Sequence, residues 1–312
     1  MKKFFLSMLA VAALVSCSNE EVLEVDKGEA ISFGNAFVDN ATRATDPSLG
    51  TTAKPLTTFN VWGTVKGNSN LVAIFANNIV TGSVGEGSTW ECTNTTQYWI
   101  TGAKYNFAAL VNASEVELGS DLLPATVVFE SDGSTDLLYA KSIEYTGQAS
   151  GNPKVAFTFE HLLSKVKFTF DKATYNNARY TYKITNIQFT NPYKQGVYNI
   201  ANKTWGSQTI RTSAIDFDAG EAPITTTTLS VESNYARMLV PATYTDLGVT
   251  FTIETLLDGK SLGTKTINET LAQTFEKGKA YNVVVALGEN NLITFTVDEL
   301  TGWDSKTNIS IP

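Results

Sequence analysis

The sequence predicts an all-β protein built as two tandem sandwiches. Three observations carry this expectation. Short apolar runs alternate at period two along most of the chain, the pattern of half-buried strands. Clusters of Gly, Asn, Ser and Asp separate them as turns do. Helical spacing of apolar residues is nearly absent, its best candidate being a turn or two at INETLAQTF, residues 267–275. Strands without interleaved helices form sandwiches or barrels. The strand-rich part runs to about 260 residues, more than one sandwich of ordinary size holds, so two are expected.

The first element is an export signal. Lys2 and Lys3 supply positive charge, FFLSMLAVAALVS supplies an apolar core too short for an ordinary spanning helix, and Cys17 follows. The step LVSC, Leu14 to Cys17, resembles the lipobox of bacterial lipoproteins, which implies cleavage before Cys17 and lipidation of that residue. An ordinary signal peptide with a chance cysteine is the alternative. Residues 18–55 are polar and rich in Glu, Asp, Thr and Gly, broken by one strand-like stretch, AISFGNAFV, in which Ile31 and Phe33 point the same way. Arg43, in NATRATDPS, is the only arginine among the first 178 residues.

Beyond Pro55 strand signals recur. In TTFNVWGTV, Phe59, Val61 and Gly63 share a face; LVAIFANN, TQYWI, YNFAALV, ATVVFE and DLLYAKSIEY follow. VAFTFEHLLSKVKFTF alternates most clearly, with Val155, Phe157 and Phe159 on one face and, after the EHLLS stretch, Val166, Phe168 and Phe170 on another opposite Lys165, Lys167 and Thr169. The polar run Asp171 to Tyr182 is the best boundary between two domains. YKITNIQFT, GVYNIA, ARMLVPA, GVTFTIET, KAYNVVVAL and NLITFTV complete the series.

The composition is that of a folding chain, 43 % hydrophobic and 17 % charged, with a net charge of −8. An acidic surface releases no counterions from phosphate, so nucleic acid is excluded as a partner. Once Cys17 is set aside, Cys92 has no partner for a disulfide and reads as a buried small hydrophobe. The single histidine, His161, cannot build a histidine-rich metal site and reads as a structural, hydrogen-bonded residue. DGSTD and DFDAGE carry closely spaced carboxylates without the spacing of a calcium loop, and polar turns explain both. No nucleophile elbow, zinc-protease, P-loop or dinucleotide motif occurs. The expectation is a non-enzyme with no cofactor and no metal. Of the tryptophans Trp62, Trp90, Trp99, Trp205 and Trp303, core positions are the first reading and an exposed sugar-stacking face the second.

Several stretches together resemble the fimbrillin family, the subunits of type V pili. LLYAKSIEY followed by FTFEHLLSKV is similar to a paired-strand motif of that family, QTFEKGKAYNVVVAL to a later strand, and NLITFTVDELTGWDSKTNISIP to its tail. The resemblance implies two transthyretin-like β-sandwich domains, export as an outer-membrane lipoprotein, and cleavage after an exposed arginine by a trypsin-like surface protease. Carried onto this chain, it implies a signal peptide at 1–16 and a pro-segment at 17–43. Sandwich domains at 44–172 and 173–312 follow, with lipid on Cys17 and cleavage between Arg43 and Ala44. A solvated linker with a chance arginine is the alternative for Arg43. Loss of residues 17–43 takes away the AISFGNAFV strand and opens a sheet that a strand from another subunit can fill. The donor candidates are Ile293, Phe295, Val297, Ile309 and Ile311. The expected product is a cell-surface fimbria that supports adhesion and polymerises with other fimbrial subunits. Two alternatives stay open: a lipid-retaining anchor or tip subunit, and a surface lipoprotein that binds a glycan or a host protein.

Overall fold

The computed structural model describes residues 28–38, 56–67, 70–82, 90–172, 179–206, 208, 210–212, 214–217, 224–226, 230–233, 235–287 and 293–300. Every regular element among them is a strand. INETLAQTF, the best helical candidate in the sequence, lies inside the sixteen-residue strand Lys260–Phe275. Ile267, Leu271 and Phe275 are four apart, a spacing that fits a helical face and equally every second inward position of a strand. Pairing with Ala242–Leu257 along a long hairpin decides between the two.

In the N-terminal half the strands Thr58–Lys66, Leu71–Gly82, Trp90–Cys92, Phe33–Val38, Val155–His161, Leu138–Lys141 and Lys104–Val111 pair in that order, and the last pairs back onto the first. The hydrogen-bonded circuit is therefore closed. Its interior is aromatic: Phe33, Phe59, Phe75, Phe107, Phe157 and Phe159 meet Trp90, Trp99 and Tyr105. Gly63 makes that packing possible, because a Cβ there would stand 2.7 Å from the Phe107 ring and 2.8 Å from Phe75. Cys92 is half-buried against this core, short of the full burial expected.

The C-terminal half is a two-sheet sandwich. One sheet orders Ser230–Glu232, Ser164–Lys172, Ala280–Leu287 and Ile293–Leu300; the other orders Ala214–Asp216, Tyr180–Thr190, Ala242–Leu257 and Lys260–Phe275. Val166, Phe168 and Phe170 point inward, as their alternation predicts, against Phe189, Phe217, Phe251 and Val283. The Phe168 and Phe217 rings meet edge to face at 4.7 Å, the arrangement their quadrupoles favour. Lys165 and Thr169 on the opposite face are buried too, and Thr169 Oγ1 donates to Asn282 Oδ1 at 2.8 Å.

A third assembly ties the halves together. Glu115–Leu118 and Pro124–Glu130 from the first half pair in one sheet with Gln195–Asn199 and Thr204–Trp205 from the second, joined in register at Val127 and Tyr198. Beneath it lies a separate core of Trp62, Leu110, Phe129, Leu162, Leu163 and Met238. Trp205 Nε1 donates to the Leu162 carbonyl at 2.8 Å, pinning the EHLLS stretch where the chain leaves one half for the other. Leu162→Ala should therefore lower stability by about 2–5 kcal/mol, whereas Val197→Ala on the exposed side of the same sheet should stay within about 0.5 kcal/mol. Denaturant unfolding of the two variants checks the contrast.

Candidate strand-exchange site

The N-terminal segment 28–38 is threaded into the first half as a guest. Ile31 and Phe33 point inward, as read from the sequence, and Ala36 joins them after a register shift between Phe33 and Ala36. Phe33 is 1 % exposed and is the hub of the core. Its ring centroid is 5.5 Å from Phe75, 6.1 Å from Phe59, 6.2 Å from Phe157 and 6.4 Å from Phe107.

The backbone grip of Phe33–Val38 is mostly one-sided. Phe33–Val38 runs parallel to Val155–His161, and parallel ladders are slightly weaker per residue. On its other side, among the described residues, the strand has the Phe33–Trp90 pair. Nearer the start, Ala30 bridges Tyr98, the Ile31 amide donates to the Gln97 carbonyl at 2.8 Å, and the Trp99 amide donates to the Glu29 carbonyl at 2.9 Å. Burial of Ile31 and Phe33 contributes about 3–6 kcal/mol gross, of the same order as the net contribution of these backbone bonds. Removing the segment would leave Val155–Phe159 with an open backbone edge and a ring-sized hole among four phenylalanines.

One polar anchor sits at the mouth of the slot. The Asn152 backbone amide donates to Glu29 Oε2 at 2.7 Å and the Asn152 side-chain amide to the same oxygen at 3.1 Å. These bonds, the backbone one foremost, hold the Glu29 carboxyl below its usual value.

Other residues singled out in the sequence fall as follows. Ile293, Phe295 and Val297 lie in a strand of the chain's own C-terminal sheet, paired antiparallel with Ala280–Leu287. Val297 is buried, and Ile293 and Phe295 pack half-buried against the C-terminal core. Cys17, Arg43, Ala44, Ile309, Ile311 and Trp303 lie outside the described residues, as does the signal peptide. Trp62, Trp90 and Trp99 are buried in the cores, and Trp205 is half-buried on Tyr198, so these four do not form an exposed sugar-stacking face. His161 Nδ1 is hydrogen-bonded to the Asp136 carboxylate, the structural role expected of it. In DGSTD, the Asp132 carboxylate caps a turn, accepting from the amides of Ser134 and Thr135 at 2.8 and 2.7 Å. DFDAGE is described only at Asp216 and Phe217. Sequence reading missed the centrality of Phe33; the alternation Val155, Phe157, Phe159 signals a strand there but not its parallel partner.

A closed strand circuit completed by a segment from upstream of the main fold defines an all-β protein whose N-terminal sheet is filled by its own leading strand. The chain belongs to the fimbrillin-like family, whose match runs over residues 42–303. No functionally curated protein matches it. Among solved structures it is similar to a fimbrial protein from Bacteroides vulgatus, at 19 % identity and a TM-score of 0.60, covering 88 % of this chain and 100 % of that one. It is also similar to a candidate cell adhesion protein from Bacteroides uniformis, at 15 % identity and a TM-score of 0.54, covering 89 % of this chain and 99 % of that one. At such identities the likeness speaks to the fold, an all-β sandwich architecture.

Phe33→Ala should destabilise the N-terminal half by about 3–5 kcal/mol, with the exposed Ser32→Ala as a near-neutral control, measured by denaturant unfolding. The Glu29 contribution has its own pH signature. Its folded carboxyl titrates below the ordinary 4.5, so its stabilisation is complete above 4.5 and fades as the pH falls through the folded value. Hydrogen-exchange protection at residues 30–33 should therefore drop on acidification, protection at Val166–Phe170 should not, and Glu29→Gln should remove the difference.

Proposed function

We propose that this chain is a structural subunit of a type V fimbria, exported as a lipoprotein carried on Cys17, trimmed after Arg43 and polymerised by strand exchange at the cell surface. The observation that carries the reading is the placement of Phe33. A buried ring that packs against four other phenylalanines of the N-terminal core sits on a segment that cleavage at Arg43 would separate from the rest of the chain, since Arg43 follows Val38 by five positions. Two further facts support it: the family match begins at Thr42, beside Arg43, and a similar structure is described as a fimbrial protein. A trypsin-like protease requires an extended, accessible arginine, and the small polar neighbours of Arg43 suit that requirement.

Trimming removes the guest strand and leaves a slot lined by Phe59, Phe75, Phe107 and Phe157. A neighbour's tail refills it by β-augmentation. Five alternating apolar side chains, Ile293, Phe295, Val297, Ile309 and Ile311, would contribute about 7–15 kcal/mol gross if all were buried, against about 4–15 kcal/mol of association entropy. Donating Ile293, Phe295 and Val297 would strip the subunit's own sheet; Ile309 and Ile311 alone leave the C-terminal sandwich intact but contribute only about 3–6 kcal/mol gross, so the joint also draws on ladder hydrogen bonds. Head-to-tail donation does not close on itself and yields a filament, which supports adhesion at the cell surface.

N-terminal sequencing of surface filaments tests this directly: the expected first residue is Ala44, and filaments whose chains still begin at Cys17 would sink the trimming step. Arg43→Ala should leave subunits on the outer membrane and abolish filaments, and Ile309→Asp with Ile311→Asp should yield trimmed but unpolymerised subunits.

A further inference from the structure

Away from the strand slot, the longest open sheet edge among the described residues belongs to Lys260–Phe275. This sixteen-residue strand ends its sheet, and most of its positions are exposed. Among the described residues it pairs with Ala242–Leu257 alone. The other strands that end the C-terminal sheets, Ala214–Asp216, Ser230–Glu232 and Ile293–Leu300, have three to eight residues. The hairpin keeps one register from Gly263 to Leu271, so that stretch presents an unbroken row of backbone donors and acceptors to solvent.

The charges on this edge are placed symmetrically. Lys265 and Glu269 stand two residues to either side of Ile267, all three on one face at period two. Both charged residues are exposed, and neither makes an ion pair among the described residues. They cannot meet each other, because four residues of extended chain hold them about 14 Å apart. Antiparallel pairing with a second copy, about a two-fold axis at Ile267, removes that separation. Lys265 then lies opposite the second copy's Glu269, and Glu269 opposite its Lys265, with Cβ atoms about 5 Å apart. Thr264 faces Thr270 and Thr266 faces Asn268 in the same register.

Other registers lose these contacts. A slip of two residues in either direction sets Lys265 against Ile267 or Leu271 and breaks both ion pairs. Parallel in-register pairing sets Lys265 on Lys265 and Glu269 on Glu269. Charge on an edge strand normally guards against pairing, and here it repels the stacked arrangement while admitting the two-fold one. Apolar surface lies beneath the axis. Ile267 pairs with Phe251, the Phe295 ring of the facing sheet stands 6.2 Å from that of Phe251, and Leu271 and Phe295 are only half-buried.

We infer that Lys260–Phe275 is a docking edge for a second copy of this chain, paired antiparallel about Ile267 through reciprocal Lys265–Glu269 contacts. The edge belongs to the C-terminal half, so the pairing goes beyond assembly of a filament and is independent of cleavage at Arg43. Between subunits of neighbouring filaments it joins them side by side.

Sedimentation velocity of the full-length protein, in detergent that masks its N-terminal apolar run, tests this. Over concentrations up to about 100 μM the mass should rise to two copies and stop there, since a two-fold contact closes on itself and head-to-tail donation does not. Glu269→Lys and Lys265→Glu each set two like-charge pairs across the axis and should weaken the dimer by about tenfold. Combining the two in one chain restores both ion pairs and should recover the affinity to within about threefold. Rising salt should weaken the parent dimer and strengthen those of the single variants. Both positions are exposed, so the substitutions leave the core untouched. A mass of one copy throughout, a dimer indifferent to Glu269→Lys, or a double variant as weak as the single ones would overturn the inference.

Discussion

The packing of Phe33 against four other phenylalanine rings is the interaction on which the N-terminal half depends. The rings stand 5.5–6.4 Å from it, at angles from nearly parallel to nearly perpendicular, so they enclose it from several sides. A closed circuit of strands needs every link, and the link supplied by Phe33–Val38 is held by backbone bonds mostly on one side. Side-chain burial therefore shares the task with the ladder. An element held in large part by burial is one that another apolar strand can replace, because the hydrophobic effect is non-directional and depends on area removed from water. That property links the fold to the proposed assembly.

The rest of the molecule is fastened differently. The two halves meet through continuous hydrogen bonding between Pro124–Glu130 and Gln195–Asn199 and through a core of their own. Ion pairs such as Lys104–Glu144 and Lys183–Glu254 lie on the exposed surface and add little. Stability thus resides in three apolar cores joined in series, and loss of the guest strand opens the first without undoing the seam to the second. The proposed trimming requires that separation.

The sequence by itself determined the all-β class, the inward faces of the clearest strands and the family, because these rest on local period and on motifs that survive divergence. Ile31 and Phe33, Val155 to Phe159, and Val166 to Phe170 all face as their alternation requires. It misjudged INETLAQTF, where a spacing of four satisfies helix and strand alike and only the partner strand Ala242–Leu257 distinguishes them. Tertiary structure alone decided that Phe33–Val38 runs parallel to a strand more than a hundred residues away and that a sheet is shared between halves. Those are long-range contacts. Side-chain period fixes which face of a strand is buried, but it carries no information on which distant strand lies beside it.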